Sequence, residues 1–163
     1  MHDSLKAKNA LEKAFHMDST DARVFFELDS LYKTLNYSPQ NRLMNMNAHT
    51  ELLTKRDDLH TEYITLLNLN GEYENAYHRI LNHNFHPWEG GEGKIPAQYR
   101  IALIHMAQNA DKTTAIKYLE AALTYPLIET VPNFFDNTPA SPLFEIQEGN
   151  ADLLFCGFDL ERN

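Results

Sequence analysis

The chain has 163 residues, 43% of them hydrophobic and 23% charged, which suits one domain of ordinary globular composition. A formal net charge of -9 disfavours nucleic acid and anionic membrane surfaces as partners, because both demand clusters of Lys and Arg, and leaves neutral or basic partners open. No apolar run reaches the ~18 residues that span a bilayer, the opening MHDSLKAKNA lacks a signal peptide's apolar stretch, and Cys156, the only cysteine, cannot form an internal disulfide; the cytoplasm is the expected compartment.

Only Pro39 and Gly71 interrupt the first 86 residues, so helices run with little punctuation. Ala7, Leu11, Ala14 and Phe15 give a first stripe, over residues 4 to 17. Thr20 or Asp21 can cap a second helix that carries Phe25, Leu28, Leu31, Tyr32 and Leu35. Ser38 followed by Pro39 opens a third, with proline in the first turn. Leu59, Tyr63, Leu66 and Leu67 mark another helix, which Asn70-Gly71 should stop. Ala76 and Ile80 follow, then Ala102, Leu103 and Met106, then Ala115, Leu119, Ala122 and Leu123. About seven helices joined by short loops predict antiparallel packing of sequential neighbours. The expected core is Leu11, Ala14, Phe25, Leu28, Tyr32, Leu59, Leu66, Ala76, Ile80, Ala102, Leu103, Ala115, Leu119 and Ala122. Pro126, Pro132, Pro139 and Pro142 then forbid a continuous helix. Residues 127–163 are expected to be an irregular C-terminal tail, apolar enough to dock on the last hairpin.

The spacing repeats. Ala7-x3-Leu11-x2-Ala14 is followed by Asn41-x3-Asn45-x2-Ala48, by Ala76-x3-Ile80-x2-His83 and by Ala115-x3-Leu119-x2-Ala122. Phe25-x2-Leu28-Asp29-x2-Tyr32 supplies the pattern of a preceding helix. Over about residues 6 to 126 this resembles the tetratricopeptide repeat family, with Asp29, Leu103 and Tyr63 or Ile64 standing where that family has a small residue. The resemblance implies an all-α fold, a TPR-like antiparallel helical hairpin array (an α-solenoid) over residues 1–126, in which each hairpin packs on its neighbours. Residues 4 to 17 read as the second helix of a repeat without its first, so the sequence reads as part of a larger protein. With Leu5, Leu11 and Phe15 on that helix, an uncovered apolar face invites a homodimer through the N-terminal helix.

The densest chemistry lies in HNFHPWEGGEGKIPAQYR, His83 to Arg100. It fails as a phosphate loop: Trp88 occupies the first glycine position of Gly-x4-Gly-Lys, and Ile95 stands where a hydroxyl should hold magnesium. His83 and His86, three apart, with His78 and Glu89 nearby, have a spacing that can ligate a metal, yet no paired cysteines or His-Glu-x-x-His accompany them, and no metal or other cofactor is expected. Glu89 and Glu92 could act as an acid–base pair, but a glycine-rich loop is poor at holding the geometry, and no catalytic residue is assigned. Structurally, Trp88 can plug a gap between hairpins, Pro87 and Pro96 fix entry and exit, and Glu89 or Glu92 can cap the helix that follows. For recognition, an aromatic face beside charged groups suits a peptide or a sugar. The candidate binding residues are His86, Trp88, Glu89, Glu92, Lys94, Tyr99 and Arg100.

The string HPWEGGEGK, His86 to Lys94, also resembles a motif in long bacterial proteins that join a β-rich, mutarotase-like domain to tetratricopeptide repeats. The departure is at Tyr125-Pro126, where Leu127, Ile128 and Glu129 replace the Gly-Glu-Gly-Lys-like segment that family would place next. Two functions follow. One is a non-catalytic interaction module of tetratricopeptide type, binding a protein or peptide. The other is an accessory helical domain of a carbohydrate-active protein, whose Trp88 loop contacts a sugar or completes a site on a partner domain.

Overall fold

The computed structural model describes residues 2–86, 88 and 91–124, with side chains from Ser4 onward. Pro87, Glu89, Gly90 and the 127–163 tail with its expected docking lie outside the described residues. Within them the fold is all-helical. In chain order the helices are α1 (His2–Met17), α2 (Ala22–Thr34), α3 (Pro39–Asn47), α4 (Thr50–Leu53), α5 (Asp57–Leu69), α6 (Tyr73–Leu81), α7 (Lys94–Gln108) and α8 (Lys112–Leu123). No helix among the described residues is long and apolar enough to cross a membrane.

The boundaries have local causes. The Asp21 carboxylate accepts from the amides of Arg23 and Val24 at the start of α2, and Asp111 does the same for Thr113 and Thr114 at α8. Ser38 accepts from the Asn41 amide, with Pro39 in the first turn of α3. The α5 stop is a Schellman turn: Gly71, at φ 81°, donates to Asn68 and Glu72 donates to Leu67. The same turn closes α2 without glycine. Asn36 takes φ 59° and donates to Lys33, while Tyr37 donates to Tyr32. Asparagine tolerates the left-handed region better than other side chains do.

The eighth helix, beyond the expected seven, is the four-residue α4, which turns Leu52 and Leu53 fully into the core. Helices pack on their sequence neighbours, α1 on α2, α5 on α6, α6 on α7 and α7 on α8, and α3 and α7 also reach α5. α5 is therefore covered on several sides, and Leu59, Ile64, Leu66 and Leu67 are buried. Phe25, Leu28, Ala76, Ile80, Ala102, Leu103 and Ala122 are buried as expected. Leu11, Tyr32, Ala115 and Leu119 are only half-buried and Ala14 is exposed. These five residues correct the predicted core. Four of them lie on α1 and α8, which pack chiefly on one neighbour each.

An ion network ties α2, α3 and α5 together. Arg42 makes a two-pronged pair with Asp29 and reaches Glu62 Oε1 at 2.7 Å, and Glu62 also accepts from Lys33 Nζ at 2.9 Å. The side chains of Arg42 and Asp29 are 4% and 1% exposed. Burial alone would raise the Glu62 carboxyl, but hydrogen bonds from Arg42 and Lys33 outweigh it and hold the group below its ordinary range.

Candidate functional site

The segment that begins at His83 leaves the end of α6 and returns to the start of α5. Asp57 is the first residue of α5, where a carboxylate is favoured by the positive end of the helix. Both of its oxygens are used. His83 Nε2 lies 2.7 Å from Asp57 Oδ1, the His86 amide donates to Oδ2 at 2.7 Å, and His86 Nδ1 lies 3.0 Å from the same oxygen. Partial burial would raise the Asp57 carboxyl, yet the His83 and His86 hydrogen bonds prevail and keep it below the usual carboxylate range. Among the described residues no three His, Cys, Asp or Glu side chains are grouped to hold a metal ion.

One turn along α5, His60 lies beneath this clamp. It is 2% exposed, and neither ring nitrogen has a hydrogen-bond partner among the described residues. The Leu53 backbone favours a proton there weakly from outside hydrogen-bonding geometry. Burial, then the charges of His83 and Arg79, lower the His60 pKa to about 4. The rings continue outward as a ladder: His60 to His83 at 4.1 Å, His83 to Phe85 at 4.5 Å and Phe85 to Trp88 at 6.5 Å.

Trp88 is half-buried and packs against the edge of the core. Its carbonyl accepts from the Gly91 amide, and Gly91 in turn accepts from the Lys94 amide. The indole lies so close over Gly91 that a Cβ there would overlap it. That glycine is needed for space, not for a left-handed backbone. Gly93, at φ 73°, supplies the left-handed residue that starts α7. Among the described residues no side chain caps α7, so Glu92 does not play the capping role its position suggested, and Glu89 lies outside them.

His86 has a largely exposed ring, 81% of its side-chain surface, held at one end by Asp57. Glu92 and Lys94 are exposed. Tyr99 is 4% exposed and packs 5.5 Å from Tyr77, so its ring belongs to the core. Arg100 is exposed and its Nε donates to the Ala122 carbonyl of α8 at 3.4 Å. Glu89 lies outside the described residues. Asp57 and His60 belong to this site and were missed in the sequence. The signal that could have found them is the pairing of Asp57-x2-His60 with His83-x2-His86, two i,i+3 sets that a helical hairpin can bring together. No protein-family model matches the chain, and no solved structure matches it.

Proposed function

We propose that the chain is a non-catalytic interaction module, a tetratricopeptide-like array of helical hairpins that binds a protein or peptide on its helical surface. The observation that carries this reading is the packing of successive helices on one another, with Ala76, Ala102 and Ala122 buried where close helix approach needs a small residue. The Asn68 amide of α5 donates to the Gln98 backbone and side chain of α7. It thereby sets the end of α5 beside the first half of α7, where Leu69 and Ile101 stay exposed at 61% and 39%. Apolar side chains left in solvent on adjoining helices are the kind of surface a peptide covers. The acidic balance of the chain favours a neutral or basic ligand.

Selection of a displayed random-peptide library on the purified chain tests this. Related peptides should be enriched that bind the wild type and lose binding to the Leu69→Glu/Ile101→Glu variant. No enrichment, or equal binding to both, contradicts it.

A second reading is favoured by Trp88. A half-exposed aromatic ring two residues beyond the Asp57 clamp is a suitable platform for a sugar. On that reading Trp88→Ala removes binding to an oligosaccharide array while the helices remain intact, and an array without any wild-type signal rejects it.

A further inference from the structure

Among the described residues, His60 is the one buried side chain at the start of α5 whose nitrogens lack a hydrogen-bond partner. The Asp57 carboxylate is fully engaged by His83 and His86. Asp29, Arg42, Glu62 and Lys33 close a separate network among α2, α3 and α5. His60 is sealed, with the His83 ring tilted over it at 4.1 Å and Phe85 edge-on at 5.6 Å as its lid. The titratable and charged groups that face it are His83 from the returning segment, Arg79 from α6 and Asp57 from its own helix, while α4 offers only the Leu53 backbone. A proton on His60 would therefore sit in a buried site beside the Arg79 cation, near a carboxylate whose oxygens are already occupied.

We propose that residues 83–86 form an acid-released latch: His60 accepts a proton only when His83 and Phe85 swing off it, and that motion frees the Trp88-bearing segment from Asp57. The latch operates whether or not the segment binds a ligand.

The sign follows from proton uptake. Above the ordinary imidazole value of about 6.5, His60 is neutral with the lid open or closed, and pH has no effect through it. Below that value the open form takes up a proton, whereas the closed form resists down to about 4. Through His60 alone the opening equilibrium should rise on the order of 100-fold between pH 7.5 and pH 4.

The His86 amide, which donates to Asp57, reports opening directly. Over that range its hydrogen-exchange protection factor, measured by NMR on the full chain, should fall on the order of 100-fold further in the wild type than in His60→Phe, which keeps an aromatic ring under the lid. The same pH dependence in both proteins overturns the proposal. A second arm needs no variant: the His60 ring-carbon shift must titrate well below about 6.5. Titration near that value with His86 still protected also overturns it.

Discussion

Arg42 is the side chain whose removal should harm this protein most for its size. Truncating it to alanine leaves Asp29, 1% exposed, as a buried carboxylate stripped of the guanidinium that pairs with it. Breaking a buried pair from one side costs about 3–5 kcal/mol. The two halves are unequal. Asp29→Ala leaves Arg42 still paired to Glu62, whose side chain is 18% exposed and also held by Lys33, so its cost should fall below that of Arg42→Ala. Replacing both with apolar residues, Asp29→Leu with Arg42→Met, removes the need for pairing and should come out within about 1.5 kcal/mol of the wild type. Urea unfolding followed by circular dichroism measures the wild type and the three variants. For a chain of this size, 3–5 kcal/mol corresponds to roughly 6–20 °C in Tm. If Arg42→Ala costs under 1 kcal/mol, or if the double replacement costs as much as the worse single one, the network does not hold α2, α3 and α5 as argued.

Other outcomes follow from the same geometry. Leu66→Ala, at a fully buried site on α5, should cost about 2–5 kcal/mol by chemical denaturation, and Leu119→Ala, half-buried on α8, should cost clearly less. Gly91→Ala should push the indole of Trp88, the only tryptophan, out of place and red-shift its emission with the far-ultraviolet spectrum unchanged; identical emission would mean the ring does not lie over that glycine. Stability should decline as pH falls from about 6.5 towards about 4, because the unfolded chain protonates His60 before the folded chain does. The full contribution is about 3 kcal/mol, and His60→Phe should flatten this part of the profile; an unaltered slope in that variant would refute the assignment.

The helix ends were legible where the signal is local. Asp21, Ser38-Pro39 and Asn70-Gly71 each act within a few residues, and each does what its type dictates. The close of α2 was hidden because Asn36 supplies the left-handed turn without glycine. α4 was hidden because four residues are too few to show a period. Leu119 and Ala14 were placed in the core by periodicity, which says which face of a helix is apolar but not whether a neighbour covers it. Asp29 stands out in the sequence only as an oversized residue at a close-contact position, since its partner Arg42 lies 13 residues on and charge pairing over that distance leaves no sequence signature. The candidate site shows the same divide. Its ingredients were visible as a dense stretch with Trp88 and two histidines, whereas the carboxylate that holds it is Asp57, 26 and 29 residues away from them. Tyr99 was grouped with the exposed charges by proximity in sequence, but the turn of α7 points its ring to Tyr77.

The central claim, that the helical surface between α5 and α7 takes up a peptide, is met most directly by isothermal titration of a library-selected peptide into three proteins: the wild type, Leu69→Glu/Ile101→Glu and Trp88→Ala. Binding to the wild type and to Trp88→Ala should be saturable with matching Kd, and should weaken at least tenfold in the double variant, whose circular dichroism and Tm remain those of the wild type. Binding that survives the double variant and disappears with Trp88→Ala would contradict it and move recognition to the segment that Asp57 holds.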